Sequence, residues 1–538
     1  MKLLLSSQTA RWVLALRLWL LFHSSTWLLP EPFQLLLLDD EVSDALDSNA
    51  LRSVLIRPAE TPQAIQDAVA LRELVANDDV TKFADSYALL PYHHPTALPP
   101  PLVLAALEPL VAKTTTTSST DGHDDDHPTI LWGLLLLVAE LLIAQKLTQI
   151  AAHQQNRLLD HSQWEHQMEQ SMPEPIRPPH KWPFHCDDDD DDDDEPSSSQ
   201  TDKKEDTQTQ QLASSQYPIL VGLLYFASPV TSLTASFHGC YQNLRVLCMV
   251  GAICEALRCS SSSSSSSRYK SNSNNHSKAG SAVATATWLG GAILLDAPLA
   301  LILILPLFLL LPTGRQRTAF LLGTTLIVAI MGAFTFLLVG QRVGLLTLLI
   351  STTGVSMEGV APSLSFLWYM QMELFARFSK YFQILLTGLP ATLVLPTAIR
   401  LHRYPMTMIT ILWVTWTLFR PVGTLYEVNV SLCLVALCPR TLVRMNDLIC
   451  IVALAALVIP ALLFVVLHWM WLQVGNGEAN FLFFQALAYN ILVLVLLWQF
   501  VAATVARDKA NCLTEKQQKH QLLQMQQEPA TATHKDGG

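Results

Sequence analysis

An all-α, polytopic membrane bundle is the fold class that three observations on this 538-residue chain predict. Half of its residues are hydrophobic and 15% are charged, against about 25% charged in ordinary soluble domains. Its mean hydropathy is +0.30. Apolar runs recur at about the 20 helical residues that a bilayer core of roughly 30 Å requires. Backbone groups cannot stay unpaired in lipid, so runs of this kind pair their groups within helices and pack as a bundle.

The runs, in order, justify about ten to twelve spans. Arg11–Leu29 opens like a signal peptide, but Arg11 and Arg17 interrupt it and no small-residue cleavage site follows. It reads as a retained first span. Thr129–Leu147, Ala282–Leu311, Thr318–Gly340, Tyr381–Ile399, Ile449–Val474 and Phe481–Val505 are long enough to cross. Leu102–Val111, Tyr217–Ser236, Leu244–Leu257, Pro405–Phe419 and Val428–Leu437 are shorter or more polar candidates.

Composition shifts divide the chain into residues 1–150, N-terminal spans with a lumenal loop; 151–216, a polar, acidic cytoplasmic insertion; 217–506, the main bundle; and 507–538, a polar cytoplasmic tail. A serine-rich insertion, 258–282, interrupts the main bundle. Such segments bury too little apolar surface to fold alone. The net charge of −11 describes one loop rather than the fold, since Asp187–Glu195 removed would leave −2. The nine cysteines include no C-x-x-C pair and sit mostly in apolar runs, which argues against a disulfide framework or a zinc site. His123 and His127 flank three aspartates, but a low-complexity loop lacks the rigid second shell a metal site needs. No cofactor, metal or nucleic-acid partner is called for.

Lys and Arg gather on the cytoplasmic side of spans. Arg440 and Arg444 before Ile449–Val474, and Arg507 and Lys509 after Phe481–Val505, therefore face the cytoplasm. The polar junction between those runs, Gly475-Asn476-Gly477-Glu478-Ala479-Asn480, faces the lumen with Asp39, Asp40 and Glu41.

Four groups of residues invite chemistry. Glu140 and Asp296 sit inside apolar runs, where carboxylates are functional by default; they mark a transport path, or each meets an Arg or hydroxyl of another helix. Asp39–Glu41 suit a general base of a lipid-linked sugar transferase, or are solvated loop acids. Ser365–Phe382 carries Glu373, Arg377 and Lys380 on one helical stripe and Phe375, Phe378 and Phe382 on the opposite one. With Trp368, Tyr369 and Tyr381 it reads as a membrane-interface helix or a lipid groove. In the junction, Gly475 and Gly477 permit a turn with φ > 0. Asn476, Glu478 and Asn480 offer polar groups to sugar hydroxyls, with Trp469 and Trp471 at belt height. The plain alternative is a turn in which Asn480 caps the next helix.

Three stretches carry a resemblance to a known family. "FLWYMQMELFARFSKYF" (Phe366–Phe382) matches an aromatic motif at Phe366, Trp368, Tyr369, Glu373, Phe375 and Phe378. "HWMWLQVGNGEANFLFF" (His468–Phe484) matches a loop motif at Trp471, Gly475, Asn480 and Phe481. Ser228–Ile253 agrees at Pro229, Thr231 and Asn243. Together they resemble the PIG-U family, a multi-spanning subunit of the glycosylphosphatidylinositol (GPI) transamidase. Glu478 and Ser228 stand where the family has Asn, and "RPVGTLY" (Arg420–Tyr426) lacks its Asp.

The resemblance implies a fold like that of lipid-linked-sugar mannosyltransferases and a place in the endoplasmic reticulum membrane. It implies no catalytic residue in this chain, the thiol chemistry belonging to a cysteine-protease-like partner. It further implies a GPI contact at Trp471, Gly475, Asn476, Glu478, Asn480 and Phe481, with other transamidase subunits, the GPI glycolipid and membrane lipids as partners. A multi-spanning glycosyltransferase using a dolichol-phosphate-linked sugar is the alternative; a transporter resting on Asp296 and Glu140 comes third.

Overall fold

The computed structural model describes residues 8–22, 130–171, 216–232, 242–261, 275–339, 362–373, 376–420, 423–472, 475 and 477–532. Among these there are helices and their connections and no strand. The helices, in chain order, are α1 (Gln8–Phe22), α2 (Ile130–Ser171), α3 (Gln216–Phe226), α4 (Pro229–Ser232), α5 (Gln242–Ser261), α6 (Asn275–Leu295), α7 (Ala297–Leu310) and α8 (Gly314–Val339). They continue with α9 (Leu367–Glu373), α10 (Ala376–Thr392), α11 (Val394–Leu401), α12 (Pro405–Leu418), α13 (Leu425–Ala436), α14 (Pro439–Leu442), α15 (Asp447–Leu472) and α16 (Ala479–Ala532). The polytopic all-α fold class holds. Four helices are long and apolar enough to cross a membrane, within α2, α8, α15 and α16.

Two of the apolar runs that read as single spans are broken. Ala282–Leu311 divides at Asp296, whose φ of −154° and ψ of 80° leave the helical region. Pro298 follows in the first turn of α7, and its missing N–H leaves the carbonyl of residue 294 without its helical donor. Tyr381–Ile399 divides at Leu393, between Pro390 inside α10 and Pro396 inside α11. The amphipathic stretch Ser365–Phe382 is likewise two helices, α9 and α10. Two other helices outrun their apolar segments: α2 continues to Ser171, and α16 to Ala532.

Packing follows from small residues and short connections. A Cβ on Gly323 would lie 2.9 Å from the Ala286 methyl, so α8 and α6 meet nearly backbone to backbone. One apolar cluster joins α1, α2, α3, α5, α6 and α7 to α12, α13 and the middle of α16, at Phe500 and Ala503. A second gathers Leu364, Trp368, Val414, Leu418, Val428, Leu457, Phe464, Leu482 and Tyr489, from α9, the facing ends of α12 and α13, α15 and the first half of α16.

Helix length explains the second cluster. At 1.5 Å per residue, the 14 residues of α12 and the 12 of α13 reach only about 21 and 18 Å. The 26 residues of α15 reach about 39 Å. The α12–α13 connection therefore ends well short of the α15–α16 junction, and α9 occupies the step between them.

Candidate functional site

The two stretches singled out from different parts of the sequence meet. Tyr369 on α9 donates its hydroxyl hydrogen to Asn480 Oδ1 on the first turn of α16. The Tyr369 ring stacks on Phe483, centroids 4.3 Å apart and planes 21° apart. Trp368 lies 6.1 Å from Trp471 at the end of α15. Trp368 is fully buried, whereas Phe378, Tyr381 and Phe382 on α10 are exposed. The tryptophan fixes α9 to the bundle and the later rings cover its outside.

The junction is shaped by its glycines. Gly475 has φ of +70°, as its place in the turn predicted. Gly477 is held for a different reason: a Cβ there would sit 2.8 Å from Trp471 Cα and 2.9 Å from Trp471 N. The chain folds back against the end of α15. Helix α16 begins at Ala479, so Asn480 lies inside its first turn and does not cap it; the Phe481 N–H reaches the Glu478 carbonyl at 3.1 Å. The Asn480 side chain is thereby free to receive Tyr369. Asn476, Phe375 and the side chain of Arg377 lie outside the described residues, as do Asp39, Asp40, Glu41, His123 and His127.

The outer surface of this junction is mixed. Glu373, Glu478 and Asn480 are exposed beside Met372, Phe481 and Phe484, the last two 57% and 61% exposed. Carboxylates and an amide thus stand next to uncovered rings. Such a surface offers acceptors to hydroxyls or an ammonium group and apolar area to acyl chains. Partial burial, and then the Glu373 carboxylate, hold the Tyr369 hydroxyl above its usual titration range, so it remains a donor at neutral pH.

Beneath α9, side chains clamp backbone. Ser365 Oγ donates to the Arg420 carbonyl at 2.7 Å. Asn490 Nδ2 donates to the Leu364 carbonyl at 2.7 Å and to the Ala486 carbonyl at 2.7 Å. A Cβ on Gly423 would come within 2.6 Å of Ser365 N, so the α12–α13 connection lies directly on this segment. A small cavity there is lined by Leu364, Thr424, Tyr489 and Asn490 among others. The buried Thr424 Oγ1 and Tyr489 hydroxyl make no hydrogen bond to a described residue.

Deeper still are two ionic groups. Arg245 on α5 reaches Asp296 Oδ2 at 2.5 Å and Glu427 Oε1 at 2.7 Å. Arg420 pairs with the same Glu427 oxygen and lies 3.7 Å from Asp296. Two cations thus share two carboxylates where α6 gives way to α7 and α12 to α13. In the second group, fully buried Arg17 pairs with fully buried Glu140. Arg17 also donates to Thr231 Oγ1 at 2.8 Å and sits 4.4 Å over the Phe226 ring. Asn243 donates to Glu140 Oε1 at 3.1 Å.

Both intramembrane carboxylates therefore take the plainer of their two readings, each meeting an arginine from another helix. The transport path loses the two residues on which it rested. Thr231 and Asn243, matched as motif residues, serve the Arg17–Glu140 pair. Arg245, Arg420, Glu427 and Asn490 were not singled out from sequence. Each is a polar residue within or beside an apolar run, the same signal that marked Glu140 and Asp296.

Comparison with known proteins agrees with the motifs. Residues 76–489, most of the chain, match the family model described as PIG-U, GPI transamidase subunit PIG-U. A fission-yeast (Schizosaccharomyces pombe) protein named GPI transamidase component GAB1 homolog is 25% identical over 149 residues. That stretch covers 28% of this chain and 36% of the yeast protein, so the match spans about a third of the relative.

Proposed function

The chain belongs to the PIG-U family of GPI transamidase subunits, and from that premise we propose that it acts as a non-catalytic subunit that holds the GPI lipid for the transamidase in the endoplasmic reticulum membrane. The observation that carries the reading is the junction of Tyr369 with Asn480, which unites two family-like stretches 111 residues apart in one exposed surface. The surface has the chemistry of the lipid: acceptors for glycan hydroxyls, carboxylates for an ethanolamine ammonium, and rings for acyl chains.

Roles follow residue by residue. Asn480 and Glu478 accept hydrogen bonds from sugar hydroxyls, and Glu478, where the family has Asn, also pairs with the ammonium more strongly than an amide would. Phe481 and Phe484 receive apolar parts of the lipid. Trp368, Trp471, Gly475 and Gly477 hold the junction in place, and Tyr369 fixes the orientation of the Asn480 amide. The junction faces the lumen, where the precursor's new carbonyl would meet the ethanolamine amine. The thiol chemistry comes from a separate, protease-like subunit.

The test is a mild-detergent pull-down of the tagged full-length chain, joined to a surface-display assay of GPI-anchored proteins in cells lacking it. The expected result is recovery of a cysteine-protease-like partner, and lower display with Asn480→Ala at unchanged recovery. Recovery of the chain alone, with display unaffected by its loss, overturns the reading.

A further inference from the structure

The far end of the bundle contains a buried cation set among like charges. Arg507, midway along α16 where its apolar stretch ends, is 7% exposed. Its Nη1 donates to Thr441 Oγ1 at 2.8 Å and its Nη2 to Thr407 Oγ1 at 3.4 Å, while its guanidinium lies 4.1 Å from the Tyr404 ring. These partners are neutral. Its Nε has no acceptor among the described residues. Thr441 belongs to α14, which also carries Arg440, and its carbonyl accepts the Arg444 N–H at 3.1 Å. Arg440 and Arg444 both act electrostatically on Arg507. The neighbouring carboxylate, Asp508, is engaged by Arg400 at 2.6 Å.

The hydrogen bonds of this buried guanidinium go to neutral hydroxyls, and its Nε meets no acceptor among the described residues, so an anion reaching it would be stabilised. The surroundings say which kind. Val443 is 83% exposed and Leu448 72%, so lipid-facing apolar surface borders the arginines directly. An anion seated there lies at the height of lipid headgroups. Planar, forked guanidiniums suit phosphate oxygens.

We propose that Arg440, Arg444 and Arg507 form a binding site for a phosphoryl anion, presented by the headgroup of an anionic phospholipid. The site lies midway along α16, where its apolar stretch ends, away from the Tyr369–Asn480 junction at its start, and is independent of the GPI reading. Arg507 forms its floor, held by Thr441 and Thr407. Arg444, exposed, and Arg440, half-buried, form its rim.

The experiment is native mass spectrometry of the purified full-length chain, offered phosphatidylinositol or phosphatidic acid against phosphatidylcholine of the same acyl chains. The wild type should retain the anionic lipids preferentially. Arg440→Gln and Arg444→Gln should each weaken retention about fivefold, and the pair about 25-fold, as expected for arginines close to an anionic lipid surface. These rim variants, checked for an unchanged melting temperature, stay informative if Arg507→Gln misfolds. Persistence of the lipid adduct in millimolar inorganic phosphate assigns the site to the headgroup. Displacement by inorganic phosphate, equal retention of phosphatidylcholine, or equal retention by the double variant overturns the proposal.

Discussion

Tyr369 and Asn480 test the candidate site at its smallest scale. If they are coupled as their contact implies, a double-mutant cycle of Tyr369→Phe and Asn480→Ala should give about 0.5–1.5 kcal/mol of interaction. Thermal unfolding of the detergent-solubilised protein would read it, and strictly additive effects would refute the contact. Phe at 369 keeps the stack on Phe483, so the cycle isolates the hydroxyl. Gly477 is more demanding, because its missing Cβ makes room for the Trp471 backbone. Gly477→Ala should destabilise by about 1–3 kcal/mol through overpacking, and an unchanged melting temperature would contradict the fold-back of the junction. Asn490 and Tyr489 are adjacent and opposite in expectation. Asn490→Leu leaves the Leu364 carbonyl unmet and should cost about 1–3 kcal/mol, whereas Tyr489→Phe removes a hydroxyl with no described partner and should be close to neutral.

At the scale of elements, the short helices are organised by charge. Asp296 sits at the α6–α7 break, Arg420 and Glu427 at the α12–α13 connection, and Arg245 on α5 ties both together. Removing Arg245 alone leaves a buried carboxylate at Asp296 with only the more distant Arg420. Arg245→Met should therefore destabilise by about 3–5 kcal/mol, seen as lost expression or an early-melting, aggregated fraction. Arg245→Met combined with Asp296→Leu should recover part of that loss, since Glu427 keeps Arg420. Absence of any recovery would show that the two residues act separately. These elements also mark what was legible in sequence. The long spans α8, α15 and α16 follow the apolar runs because hydropathy alone decides them. The breaks at Asp296 and Leu393 were missed, although Pro298, Pro390 and Pro396 stood beside them, because both halves of each run remain apolar. The meeting of α9 with the α15–α16 junction could not be read at all. It depends on α12 and α13 being too short to fill the bundle, a three-dimensional fact with no local signature. The sequence did mark each half of that contact separately, through unusual aromatic density in one stretch and paired glycines in the other.

For the whole molecule, the two polar ends of the apolar stretch of α16, Ala479–Lys509, define an axis. Glycines, carboxylates and exposed rings lie at Gly475–Phe484, and arginines lie at Arg400, Arg440, Arg444 and Arg507. Positive charge close to spans remains cytoplasmic, so the arginine end should face the cytoplasm and the Tyr369–Asn480 end the lumen. Helices α12 and α13 begin and end among the arginines and fall short of the other face, leaving α9 recessed beneath the α15–α16 junction. A recess of that kind would let a lipid headgroup rest on protein while its chains stay in the lumenal leaflet. Single cysteines introduced at exposed positions on a cysteine-depleted background would test the axis. In sealed microsomes, Asn446→Cys should react with a membrane-impermeant maleimide at once, and Glu478→Cys only after permeabilisation. The reverse pattern would turn the molecule over. It would place the carboxylate-and-ring surface in the cytoplasm, away from GPI transfer, and would remove the lipid-holding role from the Tyr369–Asn480 junction while leaving family membership untouched.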